Sequence, residues 1–173
     1  MARERQQYSG DGSHQLHAVI QTLGDITLPY RFVNTFSQGL SIDGYFMDSW
    51  PAWDRLARTV ERQMHLTGWG PILDHSIGFC FDAFHYYMYT GDLQGLKEVY
   101  PRLLSFFSYL YKLTDKSEHL VPVENLGMCS VYIDHEAYKQ TKHKQLALNL
   151  YIVAMCRNAL STLCQAFGDT QKA

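Results

Sequence analysis

A Gly-Asp pair recurs at residues 24–25, 91–92 and 168–169, each time directly after a run of apolar residues at helical spacing. Glycine can adopt the left-handed backbone conformation that ends a helix, and aspartate can cap the helix that follows. Similar lengths of chain separate the pairs. The pattern predicts an all-α chain built as an internal repeat of helical hairpins with insertions.

Five helices are predicted from these Gly-Asp pairs and from the spacing of apolar residues between them. Their approximate ranges are 13–23, 26–38, a third helix that ends near 89, a fourth whose main part covers 103–110 after Pro101, and 143–167. Ser13 is the expected N-cap of the first helix, and either Asp74 or Ser76 that of the third. A short helix over 54–64 and a short strand over 130–134 are expected within the long connections.

The five helices differ in their charge. The first, third and fifth are nearly free of charge inside their caps, which predicts an inner layer, whereas the second and fourth have one apolar side and are expected outside. Inner-to-outer connections are predicted to be two residues long, but residues 39–73 and 115–142 form long connections of the kind that usually carries function. In an alternating stack these long segments, and residues 1–12, emerge at one end.

Composition excludes several classes of function. A net charge of -2 provides no broad basic surface for nucleic acid, and a hydrophobic content of 46% suffices for a substantial core. No signal peptide is visible. A soluble protein is expected, and the sequence leaves its compartment, cytoplasm or periplasm, open. Residues 145–167 carry one charge, Arg157, but their polar side chains predict a buried helix and no membrane span.

Cysteine and histidine spacing predicts neither a metal site nor a cofactor. No C-x-x-C or H-E-x-x-H motif is present, and the pair His14 and His17 lacks a partner cluster. Three of the four cysteines lie in apolar helical runs, which favours buried free thiols over disulfides. The cysteines are Cys80, Cys129, Cys156 and Cys164.

Candidate functional residues lie in the segments assigned to the long-loop end. Glu4 sits between Arg3 and Arg5, and Tyr8 and Asp11 follow; composition alone would make this stretch a solvated terminus. The first long loop contains Trp50, Trp53 and Trp69, which either stack on a sugar face or pack the loop against the helices. Asp134 and Glu136 in the second loop are weak candidates for a catalytic base and ordinary as surface or capping residues.

Three stretches together resemble a known family. They are D-H-S-I-G-F-C-F-D-A-F-H-Y-Y-M-Y-T-G-D at 74–92, V-Y-I-D at 131–134 followed by the run at 147–154, and R-E-R-x-x-Y-x-G-D at 3–11. The chain is similar to the catalytic domain of bacterial α-L-rhamnosidases, glycoside hydrolase family 78, a six-hairpin (α/α) barrel. The resemblance implies that residues 1–173 form a partial domain, about the first half of that toroid of helical hairpins, truncated at both ends.

The resemblance also implies roles for individual residues. Glu4 corresponds to the proton donor, while Arg3 and Asp11 line the sugar site and Tyr8 replaces the usual tryptophan wall. The leading aspartate of the family motif would precede Met1, and the general base of the family lies in the missing half. Arg3 and Arg5 would tend to lower the pKa of Glu4, so burial against rings and nearby carboxylates must raise it if Glu4 is to act as an acid.

The expected function is therefore inverting hydrolysis of terminal α-L-rhamnosides, which requires a second carboxyl group about 6.5–9.5 Å from the first. One alternative is another six-hairpin carbohydrate enzyme with a different sugar. Another is a helical-repeat binding module without chemistry. Because a half-barrel exposes the flanks of its inner helices, self-association through the first and fifth helices is expected.

Overall fold

The computed structural model describes residues 8–51, 71–124, 126, 131–133 and 143–172. These residues form helices and turns, with no strand in the described ranges and two isolated β-bridges, Tyr8 with Ser49 and Leu40 with Phe46. The α-helices are α1 (Ser9–Leu23), α2 (Thr27–Ser37), α3 (Leu73–Thr90), α4 (Tyr100–Leu113), α5 (His143–Ala154) and α6 (Ser161–Ala166). The all-α prediction is confirmed for this part of the chain. The predicted short helix at 54–64 lies outside the described residues, and 131–133 are not a strand.

The glycine of each Gly-Asp pair ends a helix in the left-handed conformation, as predicted. Gly24, Gly91 and Gly168 have φ of 63°, 67° and 75°. A Cβ at any of the three would meet no heavy atom within 4 Å, so the backbone conformation alone favours glycine there. The N–H groups of Gly24 and Gly91 donate to Ile20 and Tyr87 four residues earlier, which satisfies carbonyls at the helix ends.

The aspartates of the pairs act in different ways. Asp25 Oδ1 accepts the N–H of Thr27, the first residue of α2, at 2.7 Å, but the N-cap position itself is Ile26, one residue later than predicted. Asp92 Oδ1 instead accepts the N–H of Gly95 at 2.8 Å and caps a 3-10 turn at Gln94–Leu96. The α3–α4 connection therefore spans 91–99, and the predicted two-residue length is wrong. The turn exists because Leu96 inserts into the core, where it is 1% exposed.

The predicted N-caps of the first and third helices are wrong, because tertiary contacts fix these helix starts. α1 begins at Ser9, whose N–H donates to the Asp48 carbonyl at 2.9 Å, and Ser13 lies inside the helix. α3 begins at Leu73, so Asp74 and Ser76 fall in its first turn, and neither the N-cap of α1 nor that of α3 makes a side-chain capping hydrogen bond.

The charge-poor helices pack side by side as the sequence predicts. α3 contacts α1 on one side and the helix beginning with α5 on the other, while α2 packs against both α1 and α3. Ser13 bonds to Asp82 and Gln21 to Tyr89, so α1 and α3 run parallel. The turns after α1 and α3 therefore lie at one end, and the starts of both helices lie at the other.

Aromatic rings fill the space between α3, α2 and the segment 38–51. Phe79, fully buried on α3, lies at the centre of this cluster. Its ring centroid is 4.8 Å from that of Phe46, 5.5 Å from Phe36 and 6.3 Å from Phe32. The cluster fixes α2 and the first long connection against α3.

A π-helical segment, Met155–Leu160, joins α5 to α6. Upstream of this segment Leu146, Leu150 and Val153 are exposed, although the spacing groups them with Leu160 and Cys164, which are buried. A π-helical turn shifts the register of a helix, which accounts for this division. The span Lys144–Ala166 is long and apolar enough to cross a membrane. Only 28% of its most apolar window is buried, with Leu148, Met155, Ala159 and Leu163 among the buried residues, so the helix is less buried than predicted.

The cysteines of the described part, Cys80, Cys156 and Cys164, are free thiols, and Cys80 and Cys164 are buried. Cys129 lies outside the described residues.

Candidate functional site

The starts of α1 and α3 lie next to each other, and the segment 38–51 makes hydrogen bonds to both of them. The main chain of Ser49 pairs with that of Tyr8, and the Asp48 carbonyl accepts the N–H of Ser9 at 2.9 Å. The side chain of Asp48 accepts a hydrogen bond from Nδ1–H of His75, in the first turn of α3. Asp48 thus binds both helix starts, one through its main chain and one through its carboxylate.

The second long connection reaches the same place. Asp74 Oδ1 accepts the N–H of Tyr132 at 2.8 Å, and the Tyr132 ring centroid lies 5.5 Å from that of His75. The described parts of the three long segments therefore meet at the start of α3, away from the Gly24 and Gly91 turns. This agrees with the arrangement expected from the alternating helices.

The pKa of His75 is shifted by the charged groups at this helix end. Burial lowers the pKa of His75, but the hydrogen bond to Asp48 and the negative charges of Asp48, Asp74 and Asp11 together raise it above the usual value of 6.5. Burial raises the pKa of Asp74, and the Tyr132 N–H and the charge of His75 offset only part of that rise. Three carboxyl groups thus surround one imidazole that binds a proton more tightly than a free histidine.

Gly10 allows α1 to approach the imidazole. A Cβ at this position would lie 3.1 Å from both Cε1 and Nε2 of His75, closer than most real contacts. Gly12 similarly makes room for α2, since a Cβ there would overlap the ring of Phe32. These contacts explain why α1 contains two glycines near its start despite their low helix propensity.

We expect Gly10→Ala to destabilise the protein by about 1 kcal/mol relative to Gly78→Ala, although alanine favours helices at both positions. The matched control, Gly78 in the interior of α3, has only an ordinary contact 3.5 Å away, with the Tyr151 hydroxyl. Urea unfolding of both variants measures the difference. A gain in stability for Gly10→Ala equal to that of the control would show that the His75 ring moves aside freely.

Tyr8 and Asp11, two of the residues predicted to bind substrate, line a single cavity of about 370 Å³ between α1 and α2. Its apolar lining includes the buried Leu16 and Phe32. Its exposed polar lining includes Asp11, Gln15 and Arg31. The cavity combines apolar surface with a few polar groups, as small-molecule sites usually do.

Trp50, also predicted to bind substrate, packs against the helices instead. Its side chain is half-buried against the core, and a Cβ on Gly39 would lie 3.0 Å from its Cβ and Cγ. Trp50 does not line the cavity of Tyr8 and Asp11, so the packing interpretation fits it better.

The remaining predicted site residues, Arg3, Glu4, Trp53, Trp69 and Asp134, lie outside the described residues, as does Glu136. Within the described ranges, no group of three or more His, Cys, Asp or Glu side chains could hold a metal ion.

Sequence reasoning missed Asp48 and His75 as parts of this helix end. Asp48 belongs to no motif, and its importance comes from a contact with a residue 27 positions away in the chain. His75 offered one usable signal, because it follows directly on a long connection at the start of a charge-poor helix.

Comparison of the chain with protein-family profiles, with curated proteins and with solved structures finds no match.

Proposed function

We propose that this protein is a glycoside hydrolase that acts on terminal α-L-rhamnosides with inversion, with Glu4 as the general acid. Arg3, Tyr8, Asp11 and Asp134 would contact the sugar, together with Trp53 and Trp69 of the first long connection. The observation that best supports this proposal is that Tyr8 and Asp11, which lie where the long segments meet, line one cavity that runs between α1 and α2 toward Val19 and Leu28.

The cavity suits a deoxy sugar chemically. A carboxylate such as Asp11 accepts hydrogen bonds from sugar hydroxyls, and an aromatic ring such as Tyr8 packs against the apolar face of a sugar. Rhamnose carries a methyl group in place of a terminal hydroxymethyl group. The apolar side chains of Leu16, Val19 and Phe32 in the same cavity are suitable neighbours for such a methyl group.

The proposal includes the arrangement of helices as part of an (α/α) toroid. Its support is that α1 and α3 are parallel, charge-poor neighbours and that α2 covers them from one side. Repetition of such hairpins around an axis would bring the starts of all inner helices to one face. Self-association through α1 and α5 belongs to the same proposal, since Leu146, Leu150 and Val153 form an exposed apolar stripe on α5.

We expect the 173-residue chain to bind L-rhamnose saturably, and Asp11→Asn to weaken binding about tenfold, which corresponds to about 1.4 kcal/mol. Ligand-observed NMR titration measures the affinity. Asp115→Asn is the matched control, because Asp115 is an exposed carboxyl that does not line the cavity. L-mannose, which has a hydroxymethyl group where L-rhamnose has a methyl group, should bind more weakly if the apolar lining recognises the methyl group.

The alternatives give different results in the same experiment. Preference for another sugar would favour a different six-hairpin enzyme, and no sugar binding would favour a binding module. An aryl α-L-rhamnoside should not turn over, since the family resemblance assigns the base to the other half of the barrel. Turnover that Glu4→Gln abolishes would instead locate both catalytic groups within these 173 residues.

A further inference from the structure

We propose that His75 is a positioning residue for this sugar site, and that its protonated imidazole joins the start of α1 to the start of α3. The identity of the ligand rests on the proposed function, whereas the role of His75 in joining the helices rests on contacts within the chain. Nothing in the rhamnosidase-like motif at residues 3–11 includes His75 or its partner Asp48.

The geometry makes Asp48 the link between the two helices. Its carbonyl accepts the N–H of Ser9, and its carboxylate accepts Nδ1–H of His75. Gly10 lies directly against the imidazole on the other side. These contacts couple the position of His75 to that of residues 8–11, which include the cavity-lining residues Tyr8 and Asp11.

The charges around His75 show why the proton matters. Asp48 faces the imidazole from the first long connection, Asp74 from α3 and Asp11 from α1. Among the described residues, the ring of Tyr132 also lies near the imidazole. The side chains of His75 and Asp48 are only 23% and 20% exposed, so solvent screens their interaction incompletely. Loss of the proton would remove the positive charge that attracts these three carboxyl groups.

The direction of the pH effect follows from the raised pKa of His75. The interaction is fully present below pH 6.5, the usual pKa of histidine, and is lost as the pH rises through the higher pKa of the folded protein. If the protonated imidazole holds residues 8–11 in the arrangement that binds the sugar, affinity should be greater at pH 5.5 than at pH 8.5. A loss of about tenfold is expected if ligand binding shifts the pKa of His75 by one unit.

The test measures L-rhamnose affinity at pH 5.5 and pH 8.5 for the unmodified chain and for His75→Gln. The variant should bind weakly at both pH values, because glutamine carries no proton to lose in this range. Asp48→Asn should lower the pKa of His75 and shift the loss of affinity to lower pH. His14→Gln is the control, because His14 is an exposed histidine on α1 and should leave the pH profile unchanged.

A second measurement is independent of any sugar. The ¹⁵N signals of the His75 ring report its pKa directly, and the amide signals of Tyr8 and Ser9 should titrate with the same midpoint, above 6.5. His75→Gln should abolish that amide titration. Persistence of the wild-type pH profile or of the amide titration in His75→Gln would overturn the proposal. Normal amide titration without binding of any sugar would support the role of His75 and refute the proposed function.

Discussion

Replacement of Asp82 by asparagine should remove a pH-dependent loss of stability of about 4 kcal/mol between pH 4 and pH 8. Asp82 is 1% exposed on α3, where its Oδ1 accepts a hydrogen bond from the Ser13 hydroxyl of α1 at 2.6 Å. Its Oδ2 is buried without a hydrogen-bond partner in the described part of the chain. Burial raises the pKa of Asp82 to about 7, and the Ser13 hydrogen bond offsets only part of this rise.

The sign follows from the two pKa values. The folded protein holds the Asp82 proton up to about pH 7, whereas the unfolded chain releases it near the usual value of 3.8. The stabilising contribution is therefore complete below pH 3.8 and is lost progressively as the pH rises to 7. The asparagine side chain of the variant cannot titrate, so the variant should gain stability relative to the original protein across this window. The hydroxyl of Ser13 can still donate to an amide oxygen.

Urea unfolding of both proteins at several pH values between 4 and 8 measures the effect. Neighbouring groups should not obscure it, because burial raises the pKa of Tyr151 to about 12 and that of Cys80 well above its usual 9.0. Asp115→Asn is a suitable control, since hydrogen bonds from Ser117 and Glu118 lower the pKa of this exposed carboxyl to about 2. Its contribution changes only below the window. Equal pH slopes for Asp82→Asn and the original protein would contradict the assignment.

Phe79→Ala should destabilise the protein by about 3–5 kcal/mol, the usual range for truncating a fully buried phenylalanine. The cavity would open where Phe32 and Phe36 of α2 and Phe46 of the first long connection meet α3. These rings come from separate segments and cannot all move into the vacated space together. Each aromatic pair lost adds to the cost of the buried area removed.

Thermal and urea unfolding measure this loss. The matched control is Phe107→Ala on α4, where the ring is 40% exposed and its truncation leaves no enclosed cavity. We expect the control to lose less than about 1 kcal/mol. Similar losses for the two variants would mean that the cluster around Phe79 relaxes to fill the space, and that α2 is held by other contacts.

Local chemistry made the helix ends predictable. A glycine in the left-handed conformation needs no distant partner, and Gly24, Gly91 and Gly168 all end helices as the sequence predicts. The layers were less predictable. The charge-poor helices α1 and α3 pack side by side, but only Ser9 and Leu16 of α1 are buried, whereas α2, expected outside, buries five residues. Burial therefore does not divide these helices into the predicted inner and outer layers.

Tertiary contacts determined what the sequence could not predict. Serine is a favoured N-cap residue, so Ser13 was a reasonable candidate. A backbone hydrogen bond between Ser9 and Asp48 starts α1 four residues earlier, and the Ser13 hydroxyl bonds to Asp82 instead. Asp74 was expected to cap α3 and instead binds the main chain of Tyr132, far along the sequence. The link between Asp48 and His75 is of the same kind. No local pattern encodes such contacts, because the partner becomes a neighbour only after folding.

The parallel direction of α1 and α3 has an electrostatic consequence for the end of the fold where they start. Peptide dipoles add along a helix, so its first turn carries a partial positive charge. Antiparallel neighbours would alternate the sign, but here two positive helix ends lie together, and Asp11 and Asp74 occupy their first turns. Each such pairing of an acidic side chain with a helix N-terminus typically contributes about 0.3–1 kcal/mol. The main chain itself therefore helps the fold to tolerate several carboxyl groups gathered at one end.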